Sequence, residues 1–266
     1  MSGPTDPVEL WTVYARHAEA MLSAGPAPSA WRRDGSFIAF SGGSHVDLNQ
    51  AAIFGDGDRR DAQAIVETAA AAEVPVLLAV SSTVRDDVSG TLLGGGFVRA
   101  LEPELLFFGS ATPPVEASAF EVRRARSEVD HAGIGRLFVE AHGYEEELVR
   151  AMWGPALLDR PDVGGWVAWE GDEPVSCVFV TRIGTTLSFF DMQTPPRHRR
   201  RGAARAVLTH ALAEASAEVG GADSIVFWST PLGRPFYESL GFVRADALDV
   251  WTLGASAEDM ANVGAG

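Results

Sequence analysis

Arg197-His198-Arg199-Arg200-Arg201-Gly202-Ala203-Ala204-Arg205 sets five arginines around one glycine, in a chain of 266 residues whose formal net charge is -15. Guanidinium groups grip phosphate oxygens through paired N–H donors. Glycine lets the main chain itself approach an anion closely. Behind this run lie the apolar stretch Leu187 to Thr194 and then Pro195-Pro196. Ahead of it Ala204, Val207, Leu208, Ala211, Leu212 and Ala215 recur at helical spacing. A strand thus runs through a glycine turn into a helix start. Free amides and the positive end of the helix dipole meet there, so the chemistry expected is capture of a phosphate or diphosphate.

Other reactive side chains are few. The one cysteine, Cys177, falls in an apolar strand pattern and reads as a small buried hydrophobe. A lone cysteine excludes an internal disulfide and fits a reducing compartment. His198 and His210 have no ligand-type neighbours at metal spacing, so no metal site is expected. Gly94-Gly95-Gly96 lacks the Lys-Ser/Thr of a P-loop. Trp166, Trp169, Trp228 and Trp251 sit in strand patterns and read as core or pocket wall. The acidic balance argues against a broad nucleic-acid footprint, and the arginine run is too short for a DNA-binding stripe. With no leader-like start and no run of about 18 apolar residues, a soluble, cytoplasmic chain without membrane contact is expected.

The elements that must carry the arginine turn come from a repeat. The segment from Gly96 to Gly109 aligns without gaps on that from Gly241 to Gly254, both opening Gly-Phe-Val-Arg-Ala. Each is preceded by a short apolar strand, Val76 to Thr83 and Ile225 to Thr230. Two copies of one fold follow, joined by the Pro-containing linker Ser110 to Ser118, with expected limits 1–112 and 119–256. In the second copy the pattern predicts a strand at 121–125, helices at 127–141 and 144–158, and a hairpin of 163–169 with 175–183. A strand at 185–194, a helix at 203–219, a strand at 225–230, a short helix at 234–240 and a strand at 248–253 complete it. One crossover helix implies one parallel strand pair. In the first copy the pattern predicts a helix at 8–23, strands at 36–40, 45–48 and 50–54, a helix at 61–72 and a strand at 75–81. Its counterpart of the arginine turn is Gly55-Asp56-Gly57-Asp58-Arg59-Arg60-Asp61. Carboxylates there repel phosphate, so this copy is expected to keep the fold without the ligand site.

The second copy, roughly Phe120 to Gly254, resembles the GNAT acyltransferase superfamily. The resemblance rests on Arg199-Arg200-Arg201-Gly202-Ala203-Ala204 opening a long helix, on Pro196 upstream, and on Tyr237-Glu-Ser-Leu-Gly241-Phe242. The whole chain is similar to tandem members with a degenerate N-terminal copy. The resemblance implies an α/β fold of two GNAT-like lobes, each a mixed, mostly antiparallel sheet flanked by helices, with a splayed parallel strand pair. It implies acetyl-CoA, or another acyl-CoA, as donor, its diphosphate on Arg199, Arg200, Arg201, Gly202, Ala203, Ala204 and Arg205. Its pantetheine would pair with Met192, Gln193 and Thr194, beside Thr230, where relatives often carry Asn.

Tyr237 is implied as proton donor to the departing thiolate, with the Met192 amide as oxyanion donor. Asp191 is the one acid in the strand Leu187 to Thr194, but strict alternation turns it away from Phe190 and Met192 unless a bulge intervenes. A carboxylate paired at the sheet face is an equal reading, and water could instead carry the proton. His142 and Glu145 to Glu147 lie where relatives wall the acceptor pocket, although stabilisation of a helix start is the favoured reading of the three glutamates. The function expected is N-acetyl transfer to a primary amine, probed against two rivals, a non-catalytic acyl-CoA sensor or scaffold and a protein N-acetyltransferase. The acceptor expected is a small molecule, and the assembly a monomer or weak homodimer.

Overall fold

The computed structural model describes residues 6–100 and 104–255. Residues 101–103 of the aligned repeat, and the outermost ends of both expected lobes, lie outside that description. In chain order the elements are α1 (Pro7–Leu22), β1 (Ser29–Arg33), β2 (Ser36–Phe40), β3 (Asn49–Ile53), α2 (Arg59–Ala72), β4 (Val76–Ser81), α3 (Arg85–Gly94), β5 (Val98–Arg99) and β6 (Glu104–Gly109). Then come β7 (Glu121–Arg124), α4 (Glu128–His142), α5 (Glu146–Trp153), α6 (Pro155–Leu158), β8 (Val163–Glu170), β9 (Glu173–Ile183) and β10 (Thr186–Gln193). The chain closes with α7 (Ala203–Glu218), β11 (Ser224–Ser229), α8 (Arg234–Ser239) and β12 (Val243–Leu253).

The chain divides into two compact units. One is Gly109–Val226; the other combines the residues up to Phe108 with those from Phe227 onward. β12 lies between β4 and β6, so the residues from Phe227 onward fall in one unit with those before Gly109.

In the unit Gly109–Val226 the strands run β11-β10-β9-β8-β7, antiparallel except for the parallel pair β10/β11. Neighbouring residues of β8 show how its faces are covered. Gly165 lies under Ile134 of α4, while the indole N–H of Trp166 donates to Glu214 of α7 at 2.8 Å. So α4 and α7 cover opposite faces, as period-two alternation requires. α4 starts on a reciprocal cap: Ser127 Oγ accepts from the Asp130 amide at 3.2 Å, and Asp130 accepts from the Ser127 amide at 3.1 Å. Ser127→Ala should lower stability by about 1 kcal/mol, read as a fall of about 2–4 °C in Tm.

In the other unit the strand order is β1-β2-β3-β4-β12-β6, with β5 also on β12. Here β3 and β4 are parallel, joined by α2, so the strand–helix–strand order of the second copy recurs. β12 is antiparallel to β4 on one side and to β6 on the other, with Leu248 opposite both Ser81 and Glu104. α2 and α3 bury Ala62, Ile65, Val88 and Leu92 on one face with Ile38, Val80 and Trp251.

Several expectations are corrected. The helix expected over 144–158 is two, broken at Gly154, where a Cβ would lie 2.2 Å from the Arg150 carbonyl oxygen. The strand expected at 45–48 is a 3-10 turn, Val46–Leu48. β12 begins at Val243 rather than 248, because its first half finds a partner in β6.

Candidate functional site

The arginine turn is built as its sequence suggests. β10 ends at Gln193, a 3-10 turn spans Pro196–His198, and α7 starts after Gly202 at φ 91°. Arg200 also has a positive φ, 63°. Gly202 is needed for this left-handed backbone rather than for close contact: a Cβ there would meet nothing within 4 Å. α7 has no side-chain cap and no acid in its first turn. Among the described residues, the amides of Arg200 to Ala204 donate to no backbone carbonyl. The result is an open cluster of donors at the positive end of a 16-residue helix.

The turn before α2, by contrast, is closed. Asp58 caps α2, accepting from the amides of Arg60 at 2.7 Å and Asp61 at 3.3 Å, and Asp61 accepts from the Asp58 amide at 3.1 Å. Its helix-start donors are taken by its own carboxylates.

The arginines divide by task. Arg197 is turned away from the amides: it binds Glu140 of α4 in a fork at 2.5 and 2.7 Å and also reaches Glu173 of β9. Hydrogen bonds from Arg197 hold both carboxyls below the usual carboxylate range. Arg199 Nε donates to the Thr194 carbonyl at 3.0 Å, folding the turn onto the strand end. Arg201 meets Glu170 at 2.5 Å and Arg205 lies 3.9 Å from Glu116. Arg200 is exposed and, among the described residues, forms no ion pair. His198 is 4 % exposed, with neither ring nitrogen hydrogen-bonded.

β10 carries a bulge. Its register on β9 slips between Phe190 and Gln193, and Asp191 has φ 51°. Strict alternation therefore fails at Asp191, whose carboxylate accepts from the Trp153 indole N–H at 2.6 Å. Trp153 is itself fixed by stacking on Phe138, with ring centres 4.0 Å apart. The β10/β11 ladder covers only Thr186 with Ser224 and Leu187 with Ile225, although β10 continues to Gln193. The Gln193 carbonyl accepts from Ser176 at 2.9 Å, and Ser176 also bonds the Thr194 hydroxyl at 2.8 Å. Burial pushes the Cys177 thiol up, keeping it protonated and unsuited to nucleophilic work.

Asp191, Met192, Gln193, Thr194 and the turn from Arg199 to Arg205 thus come together in one unit. Thr230 and Tyr237 belong to the other. There the Thr230 carbonyl accepts from Gly233 at 3.2 Å, and the Gly233 carbonyl from the Tyr237 amide at 3.1 Å. Tyr237, 8 % exposed, packs edge-on to Phe227 and against Phe107 and Phe236. Burial raises its phenol above the ordinary tyrosine range, so it is held in the proton-bearing form. His142 stacks on Tyr144, and Glu145 to Glu147 are exposed at the start of α5. Among the described residues no group of three or more ligand-type side chains could hold a metal, and no helix is long and apolar enough to cross a membrane.

One residue was not anticipated. Glu104, on β6, is 4 % exposed, and burial raises its carboxyl to about 8 against the lowering pull of the Trp228 indole. The repeat offered a signal for it: Glu104 aligns with Asp249, which is also buried.

A mixed α/β sheet with an uncapped strand–turn–helix at a splayed parallel pair defines a class of anion-binding folds that place phosphate at a helix start. Residues 161–244 match the Acetyltransferase (GNAT) domain family. The chain carries a GNAT acetyltransferase domain. It is 34% identical over 105 residues to the "Uncharacterized N-acetyltransferase YsnE" of Bacillus subtilis (strain 168), a match spanning 36% of this chain and 66% of that protein. In fold it is similar to a GCN5-related N-acetyltransferase from Kribbella flavida, at TM-score 0.60 and 16% identity over 91% of this chain and 96% of that one. It is also similar to a tandem GNAT protein from the clavulanic acid biosynthesis pathway, at TM-score 0.57 and 11% identity over 94% of each chain.

Proposed function

We propose that the chain transfers an acetyl group from acetyl-CoA to a primary amine of a small molecule. The observation that carries this reading is the open donor cluster from Arg200 to Ala204 at the start of α7, in a chain whose other copy fills the same turn with Asp58 and Asp61. The residues present fit the coenzyme's diphosphate: amides unspent, no acid in the first turn, and Arg200 beside them. The thioester, when bound, supplies the activated acyl carbon. Main-chain groups of Met192 to Thr194 align its pantetheine arm, and the Met192 amide at the bulge is the donor for the developing oxyanion. Tyr237 gives the proton that the departing thiolate needs. On this reading 119–256 is the active copy and 1–112 a copy that keeps the fold and has closed its phosphate turn.

Isothermal titration with acetyl-CoA tests the reading. A one-to-one exothermic isotherm is expected, and no heat above dilution removes the proposal. Tyr237→Phe should leave that isotherm unchanged while lowering amine-dependent thiol release about 10- to 100-fold. Undiminished release would reject the proton-donor role.

A further inference from the structure

A cavity of 890 Å³ opens between α4 and α5–α6, wholly within the unit Gly109–Val226. That volume lies in the range of small-molecule sites, about 300–1,000 Å³. Neither the arginine turn nor β10 contributes to its walls. The cavity is thus apart from the groups assigned to acyl transfer and stands without that reading.

Its base follows from the packing of two helices. α4 and α5 meet at Gly135 and Val149, where a Cβ on Gly135 would lie 3.7 Å from Val149 Cγ1, an ordinary contact. The missing side chain leaves room above that contact. Ile134, Val149 and Trp153 are buried and Val139 is half-buried, so the base is apolar. Trp153 presents only its ring, because its indole N–H is spent on Asp191 at 2.6 Å.

The rim is charged. Glu140 is spent, held by Arg197 in a fork at 2.5 and 2.7 Å. Arg136 and Arg150 are exposed and, among the described residues, form no ion pair and no side-chain hydrogen bond. Elsewhere in this unit arginines have carboxylates: Arg123 lies 2.8 Å from Asp130, Arg160 2.7 Å from Asp162 and Arg182 3.1 Å from Glu218. Glu146 precedes Arg150 by four residues, the favoured order for a helical ion pair, yet the two do not pair. Arg234 and Glu238, at the same spacing in α8, pair at 3.5 Å. Dipole stabilisation accounts for Glu128 and Glu146 at helix starts and for Arg150 in the last turn of α5. It does not account for Arg136 in the middle of α4, nor for an apolar base beneath unpaired charges.

The open groups specify an occupant. Arg136 and Arg150 each follow one residue after the contact pair Gly135 and Val149, so both stand beside the same point of the groove. Together they offer paired donors to one carboxylate. Glu146 lies one helical turn from Arg150, about 5–6 Å between Cβ atoms, and offers an acceptor to an ammonium. The apolar base takes an aliphatic chain. A metal ion does not fit, since among the described residues no group of three or more ligand-type side chains could hold one. A phosphate would leave the apolar base unused and meet Glu128, Glu140 and Glu146.

We propose that this cavity binds a zwitterionic amino acid with an aliphatic side chain. Its carboxylate lies on Arg136 and Arg150, its ammonium on Glu146 and its side chain on Val139 and Val149.

Amide-resolved NMR titration of the full chain, without coenzyme, tests the proposal. L-Leucine should shift the Gly135 and Val149 amide signals along a saturable one-to-one isotherm. Three probes each lack one group: glycine the aliphatic chain, isoamylamine the carboxylate and isocaproate the ammonium. Each should bind at least tenfold more weakly than leucine. Arg136→Gln and Arg150→Gln should each raise the leucine dissociation constant at least tenfold, while Tm moves by less than about 2 °C. Ala132→Phe places a ring in the cavity from an exposed position and should weaken leucine as much without removing a charge. Leucine that shifts neither signal up to about 10 mM, or arginine variants that bind it as the wild type does, overturns the assignment. So does any of the three truncated probes that matches leucine. Titration with acetyl-CoA reads acyl transfer separately, so either reading can fail while the other holds.

Discussion

Replacing Ala204 with aspartate should raise the dissociation constant for acetyl-CoA at least a hundredfold while leaving the fold intact. Ala204 is half-buried in the first turn of α7, among the amides that no capping side chain occupies. A carboxylate placed there would repel a diphosphate held on those amides; like charges are taken as about 5 Å apart. At an effective dielectric near 20 that separation costs roughly 3 kcal/mol per pair of like charges, and a factor of ten in affinity takes about 1.4. The substitution imitates what the chain already does at α2, where Asp58 and Asp61 consume the donors of the equivalent turn. Stability should move the other way, because an acid in a first helical turn gains about 0.3–1 kcal/mol from the dipole. The pair of readouts is therefore decisive: a rising Kd with a level or higher Tm. Ala204→Ser, similar in size and uncharged, should bind within a few-fold of wild type. Raising salt should weaken the diphosphate's attraction to the arginines in all three proteins. A Kd within threefold of wild type for Ala204→Asp would place the diphosphate elsewhere.

The parts of the structure legible in the sequence are those fixed by local rules. α7 follows from apolar spacing, its start from Gly202, and α4 from the Ser127 and Asp130 cap, each decided within a few residues. The exposed edge strand Ser29–Arg33 escaped because five residues without a buried face show no alternation. The break at Gly154 depends on one carbonyl of the preceding turn, which no periodicity reports. At Asp191 the sequence left two orientations open, and only the pairing of β10 with β9 selects the bulged one. Glu104 was the least legible of all. Its meaning depends on β6 lying between β12 and β11, strands more than 100 residues away, and on the absence there of the arginines that attend Asp249. The repeat supplied the alignment of the two acids but not the difference in their surroundings.

That difference should be measurable as stability. In the unfolded chain Glu104 ionises near its ordinary value of 4.5; in the folded chain it holds its proton to about 8. Between those values the native state binds one proton more than the unfolded state, so stability falls as pH rises. The contribution is fully present below 4.5, declines by about 1.4 kcal/mol per pH unit through the window, and is flat above 8. The window spans about 3.5 units, which sets a ceiling near 5 kcal/mol. Glu104→Gln keeps the shape and removes the titration. Urea unfolding should therefore find the variant close to wild type at pH 5 and several kcal/mol more stable at pH 9, with the gap widening steadily between. A constant gap across that range would mean that Glu104 keeps an ordinary carboxyl and carries no such stability cost. A widening gap would show that one buried carboxyl with no cationic partner among the described residues weakens the fold as it ionises.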